Sequence, residues 1–252
     1  MQKNIVAEPQ LAGQGKQKIE WVKRNMPILR QIEDDFRKHQ YFSGLRVLVC
    51  IHLEAKTAYL AQVFAAGGAE VAVTGSNPHS TKDDVVAALA EEGMHVYARY
   101  GATPEEMRQY MNRALDVRPN IMIDDGGDIA ELVHTERQEL LPEVLGACEE
   151  TTTGVLRAKA RAKAGVLEFP VVLINDARCK YLFDNYHGTG QSVWDGVMRT
   201  TNLVVSGKTV VIIGYGWCGK GCAERAQGLG ANVIVCEVDP IKAADALMHG
   251  LR

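Results

Sequence analysis

Between a strand-like run and a helix-like run, the segment Val210-Val-Ile-Ile-Gly214-Tyr-Gly216-Trp-Cys218-Gly219-Lys-Gly221 carries the spacing G-x-G-x-x-G. Each of three glycines answers a mechanical need: Gly214 permits a tight turn, Gly216 lets the backbone approach a pyrophosphate, and Gly219 lets the helix pack close to the strand. The free N–H groups and positive dipole end of the helix would then face the phosphates. Glu237 lies 23 residues beyond Gly214, at the end of the next apolar run. A carboxylate there would accept bonds from ribose hydroxyls and repel a 2′-phosphate, which favours NAD over NADP. Lys180 and Asp184 are four apart, so one helical turn would set an amine beside a carboxylate. His52, Asn77, Asp125 and Asp176 each follow a short apolar run. Cys218 and Cys222 could face each other on one helix, but zinc would need two further ligands and none is nearby, so no metal is expected.

The elements that must hold these residues alternate along the chain. Residues 46–50, 69–74, 94–99, 120–123 and 171–174 read as short apolar strands. Residues 58–66 and 157–164 have helical spacing, and Thr103-Pro-Glu-Glu106 is a capping box with proline at the first helical position, opening a helix to about residue 117. Thr81-Lys-Asp-Asp84 reads as an N-cap followed by acids in the first turn. Residues 17–39 read as an amphipathic helix through Val22, Met26, Leu29, Ile32 and Phe36, which Pro27 kinks or restarts. Residues 1–16 are polar and are expected to form a loose arm. Short apolar strands alternating with helices imply a parallel sheet covered on both faces. Ligands of such sheets sit beyond the C-terminal strand ends, where His52, Asn77, Asp125 and Asp176 fall. A second α/β unit begins near Gly207, with strands at 209–213 and 232–236, a helix at 217–228 and another from Pro240. The fold expected is α/β: two Rossmann-like doubly wound domains, over residues 17–185 and 186–252.

Composition narrows the function classes. With 46% hydrophobic and 23% charged residues the chain has an ordinary globular mix. A net charge of −3 without a basic cluster argues against a nucleic-acid partner. No apolar run approaches the roughly 18 residues of a membrane span, and residues 1–17 lack the apolar stretch of a signal peptide. The six cysteines form no C-x-x-C pair, as expected of reduced, packed thiols in the cytoplasm.

Several segments in a fixed order make the chain resemble the S-adenosylhomocysteine hydrolase family. They are Asp124-Asp-Gly-Gly-Asp128, Glu149-Glu-Thr-Thr-Thr-Gly154, Asn175-Asp176, Phe183-Asp-Asn185, Gly188-Thr-Gly-Gln-Ser192, the Gly214–Gly221 loop and Glu237-Val-Asp-Pro240. The resemblance spans roughly residues 18–250. It implies a reaction in which bound NAD oxidises the 3′-hydroxyl of a nucleosyl thioether, homocysteine leaves by elimination, water adds, and the ketone is reduced again. It also implies a site that excludes water from a reactive intermediate. By matching positions, the resemblance places Lys180, Asp184, Asp125 and His52 in acid–base roles, and Glu54, Lys56, Asp125, Glu150, Lys180, Asp184 and Asn185 against substrate. A lysine among carboxylates suits removal of the 3′-hydroxyl proton once its pKa is lowered. Thr151, Thr152 and Thr153, with Gly214, Gly216, Cys218, Gly219, Glu237 and Lys242, would contact the cofactor. The family further implies a homotetramer of the activated methyl cycle. Its members run well beyond 252 residues, with two more active-site histidines, so this stretch alone is expected to be inactive. A non-catalytic relative would have lost its acid–base residues, whereas Asp125, Glu150, Lys180 and Asp184 are all present. A plain NAD dehydrogenase would accumulate NADH under turnover.

Five positions depart from the family pattern. After the first strand the family has His-x-Thr-x-Glu/Gln-Thr, whereas this chain reads His52-Leu-Glu54-Ala-Lys56-Thr57. Glutamate or glutamine can accept a bond from an adenine amino group; a lysine ammonium only donates. A donor suits a 6-oxo purine, so cleavage of S-inosyl-L-homocysteine is an alternative expectation, although Lys56 could instead pair with Glu54. Thr189 stands where some members have cysteine, and Tyr186-His187 replaces a commoner basic–aromatic pair.

Overall fold

The computed structural model describes residues 4–252 and divides into two units that part between Ile174 and Asn175. In the first, six strands form one parallel sheet: β1 (Arg46–Ile51), β2 (Glu70–Gly75), β3 (His95–Tyr97), β4 (Ile121–Asp124), β5 (Gly146–Glu149) and β6 (Val171–Leu173). Their order, β3-β2-β1-β4-β5-β6, reverses direction between β1 and β4. At that switch point the connections leave the sheet to opposite sides and open a crevice at the C-terminal strand ends. Central strands need apolar residues on both faces, and Val47, Leu48 and Val49 of β1 are all fully buried.

Six helices of this unit lead into or cover the faces: α1 (Ala12–Arg24), α2 (Pro27–His39), α3 (Ala55–Ala66), α4 (Asp83–Glu91), α5 (Pro104–Leu115) and α6 (Asp128–Thr135), with α7 (Thr152–Ala164) following β5. One core gathers Ile19, Tyr59, Val63 and Leu89 against β1 and β2, and the other gathers Tyr110, Leu115, Met122 and Ile129. Thr103 closes the capping box of α5 as the sequence implies.

Four expectations change. The loose arm expected over residues 1–16 is instead docked: Ile5 pairs with Tyr97 at the sheet edge, α1 begins at Ala12, and Lys16 forms an ion pair with Glu91 at 3.0 Å; residues 1–3 of that arm lie outside the described residues. The helix expected over 17–39 is two helices, because Pro27 occupies the first turn of α2 and lacks the N–H to continue α1. Thr81 does not cap α4; it is buried and donates to the Asn77 carbonyl at 3.0 Å, while Lys82 holds the cap position. Strand β5 went unread because Gly146-Ala-Cys-Glu149 is short and small; its neighbours β4 and β6 supply the ladder on both sides.

The second unit opens with a 3₁₀ turn (Ile174–Asp176, shared with the unit before) and a π-helical segment, Lys180–Gly188. It continues through α8 (Thr189–Thr201), β7 (Thr209–Ile213), α9 (Trp217–Gly228), β8 (Asn232–Cys236) and α10 (Pro240–Met248). β7 and β8 pair in parallel, a βαβ crossover whose core holds Trp194, Val205, Tyr215, Ala223, Ala226 and Val233. The boundary expected at residue 185 therefore falls earlier, so Lys180, Asp184 and Asn185 belong with the glycine loop.

Candidate active site

In the first unit the polar residues converge at the switch point. His52 directly follows β1, and Asp125 directly follows Asp124, the last residue of β4. The Asp125 carboxylate lies 3.4 Å from His52 Nε2 and accepts from Ser76 Oγ at 2.7 Å. His52 Nδ1 is 2.6 Å from Ser80 Oγ. Asp125 is thus held between a ring and a hydroxyl, a pairing suited to storing and moving one proton. Ser76 and Ser80 were absent from the sequence reading. Their signal was position alone, on the turn after β2 that also carries Asn77.

Beneath Asp125 lie two buried carboxylates. Asp124 pairs in register with Glu149 across β4 and β5, and only 1% and 2% of their surfaces are exposed. Asp124 accepts from the N–H groups of Asp125 (3.0 Å) and Ala130 (2.9 Å). Glu149 accepts from those of Gly126 (2.9 Å) and Thr151 (3.0 Å). Together they fix the backbone of the Asp125–Gly127 turn and of the turn carrying Glu150 and Thr151. Burial, reinforced by the Glu149 charge, pushes Asp124 up to about 7 against the pull of its backbone donors. Burial likewise raises Glu149. Neither was singled out from sequence, although both head quoted motifs.

Glu54 caps α3 by accepting from the Lys56 N–H at 3.0 Å. The Lys56 ammonium stands 3.9 Å from the Glu54 carboxylate on a side chain 66% exposed. The turn thus offers one acceptor group and one donor group. Thr151 is the N-cap position of α7, Thr152 and Thr153 form its first turn, and Thr153 is exposed.

In the second unit Lys180 Nζ lies 3.1 Å from Asp184 Oδ2, the neighbourhood expected of their spacing, with the lysine side chain only 10% exposed. Asn185 Nδ2 reaches Cys218 Sγ at 3.4 Å, at the start of α9. The glycine loop has the geometry of a dinucleotide cradle. Gly214 has φ of 92°, left-handed backbone that side chains disfavour. A Cβ on Gly219 would lie 2.0 Å from the Gly214 carbonyl oxygen. Beside Gly216 there is open space, and no side chain caps the first N–H groups of α9. These observations fit a pyrophosphate on the helix N-terminus.

Glu237 sits at the end of β8 as the motif requires, but its carboxylate is engaged by backbone. It accepts from Tyr215 N (2.6 Å), Val238 N (2.8 Å) and Asp239 N (3.0 Å). The bonds from Asp239 and Tyr215 hold it below the usual carboxylate range. It braces the loop, and its remaining lone pairs are what a ribose could use. Lys242 stands 3.7 Å from Asp239. Cys218 and Cys222 find no further ligands: among the described residues no three metal-ligating side chains gather. Nor, among those residues, is any helix long and apolar enough to cross a membrane.

Comparison with known proteins agrees with both halves. The family model described as S-adenosyl-L-homocysteine hydrolase matches residues 3–144, and that described as the NAD binding domain of the same hydrolase matches residues 185–252. An adenosylhomocysteinase of Pyrococcus abyssi is 58% identical over 245 residues, covering 97% of this chain and 58% of its own length. An S-inosyl-L-homocysteine hydrolase of Methanocaldococcus jannaschii is 55% identical over 239 residues, covering 95% of this chain and 58% of its own length. The chain therefore spans just under three-fifths of these relatives. The two matching models, one over each unit, make the chain a member of the S-adenosyl-L-homocysteine hydrolase family.

Proposed function

We propose that this chain carries the substrate-gripping residues and the dinucleotide loop of an NAD-dependent hydrolase that cleaves an S-nucleosyl-L-homocysteine to the nucleoside and L-homocysteine. The observation that supports it most is the Lys180–Asp184 pair, on a segment bonded to the helix of the glycine loop. NAD held there would supply reversible hydride transfer at the sugar 3′ position. Lys180, oriented by Asp184, would take the proton of the 3′-hydroxyl and later return it. The His52–Asp125 pair would take the C4′ proton during elimination and pass it to the departing thiolate, then take the proton that the attacking water loses and return it to C4′. Glu150, on the turn braced by Glu149, and Asn185 would hold the sugar. The Asp184 carboxylate can accept from, and the Lys180 ammonium can donate to, the hydroxyls of a ribose diol, and the thioether leaves by elimination once the neighbouring ketone has acidified C4′.

Adenine is the base that the family reading implies, and the Glu54 carboxylate could accept from its amino group. A specific observation favours hypoxanthine as the second reading. Lys56, one turn position further on, presents an exposed ammonium that only donates. Released homocysteine thiol, measured with S-adenosyl- and S-inosyl-homocysteine in parallel and with NAD present or removed, tests both. Cleavage of neither, by an NAD-loaded chain that carries this sequence at the full length of its relatives, would refute the hydrolase; a large excess rate on the adenosyl substrate would remove the 6-oxo reading. The six free cysteines support a reducing compartment such as the cytoplasm, and a homotetramer follows from the family reading. Sedimentation of the purified protein tests the assembly.

A further inference from the structure

Helix α9 does more than present N–H groups to phosphates. Four contacts tie it to the π-helical segment that carries Lys180 and Asp184. The Tyr181 ring stacks on Trp217, with centroids 4.8 Å apart and planes within 23°. Asn185 Nδ2 reaches Cys218 Sγ at 3.4 Å. Gly221 passes under Tyr186 so closely that a Cβ would lie 1.9 Å from the Tyr186 carbonyl oxygen, and the Tyr186 hydroxyl donates to Glu224. Positions 217, 221 and 224 share one face of α9. Positions 181, 185 and 186 share one face of the segment, since a π-helix turns in slightly more than four residues. Lys180 and Asp184 each precede a packed residue, so the ammonium–carboxylate pair lies beside the packed face. Any rotation of that face against α9 would carry the pair with it. Trp217 and Cys218 are also the first two residues of α9 after Gly216, within the loop itself.

We infer that Trp217 and Gly221 are positioning residues that hold the Lys180–Asp184 pair in register with the phosphate loop, so that dinucleotide cradle and proton-transfer pair move as one body. The inference rests on the proposed hydrolase only for what Lys180 and Asp184 do to a substrate. The coupling itself rests on the contacts. Phenylalanine at position 217 would keep a stacked ring; leucine would not.

Acylation of each lysine by a trace of acetic anhydride, read by peptide mass spectrometry across pH, tests the coupling in the whole protein. In Trp217→Leu, Lys180 should react at least fivefold faster relative to the exposed Lys208, with a displaced pH midpoint. Trp217→Phe should stay within twofold of the unmodified protein. Tyr181→Leu should mimic Trp217→Leu, and the double variant should be no worse than either single one, as for two residues acting through one contact. If one leucine variant fails to fold, the other carries the test. Unchanged Lys180 reactivity, or an equal rise at Lys208, would overturn the inference. In an NAD-loaded chain that carries this sequence at the full length of its relatives, Trp217→Leu should lower kcat for the nucleosyl thioether at least tenfold with KM within twofold. The acylation pattern as expected, with no turnover even in the unmodified full-length protein, would remove the hydrolase reading and support the positioning.

Discussion

Raising the pH from 5 to 8 should weaken the first unit through Asp124. Its carboxyl is 1% exposed, and burial lifts it to about 7 from an ordinary value near 3.9. Between those two values the folded protein binds a proton that the unfolded chain has released. Stability then falls as pH rises, beginning above the unfolded value and levelling off above the folded one. Over pH 5 to 8 a shift of this size removes about 2–3 kcal/mol. Glu149, also raised by burial, adds a loss of the same sign. Asp124→Asn keeps an oxygen for one of the two backbone donors and cannot ionise. Its stability should fall less steeply, the remaining loss being that of Glu149, whose burial the substitution leaves in place. Urea unfolding at several pH values, followed by fluorine resonances of labelled Trp21 in α1, isolates this unit, because the other two tryptophans, Trp194 and Trp217, lie in the second. Equal losses in the unmodified protein and in Asp124→Asn between pH 5 and 8 would refute the reasoning.

Three other outcomes follow from the same contacts. Gly219→Ala places a methyl against the Gly214 carbonyl and should weaken NAD binding at least tenfold by calorimetry while leaving the first unit's melting unchanged. If the proposed hydrolase reading holds, Lys56→Gln, which exchanges a donor for a group that can also accept, should shift the ratio of adenosyl to inosyl cleavage rates by the NAD-loaded protein at its relatives' full length towards the adenosyl substrate by tenfold or more, since the wrong base leaves a group at the bound purine unpaired. Thr103→Ala removes one side of the α5 capping box and should cost the first unit about 1 kcal/mol in urea unfolding, with no effect on the second unit.

Some of this molecule is written locally. The run Thr209–Ile213, the glycines after it, the helix Trp217–Gly228 and the strand Asn232–Cys236 begin and end where the residue pattern says. There the periodicity, the glycine turn and the apolar strand all favour one conformation, and neighbours had nothing to override. The capping box of α5 was readable for the same reason: its two bonds lie within four residues. The order of chemical motifs was equally plain, because side-chain identity survives in sequence whatever the fold does with it.

Other features came from residues far apart in the chain. β5 exists because β4 and β6 flank it, not because Gly146-Ala-Cys-Glu149 prefers to be extended. The first helix begins within the stretch expected as a loose arm, where Lys16 finds Glu91, Gly15 packs against Asp84 and Ile5 finds Tyr97. The buried pair Asp124 and Glu149 is legible only once two strands align, because desolvation depends on what surrounds a carboxylate rather than on its sequence neighbours. Lys180 and Asp184 belong with the glycine loop rather than with the preceding sheet because Trp217, Cys218 and Gly221 pack against their segment. Short-range pattern selects helix, strand and turn; which carboxylate loses water, and which helix the segment of Lys180 leans on, are set by contacts that close only when the chain folds.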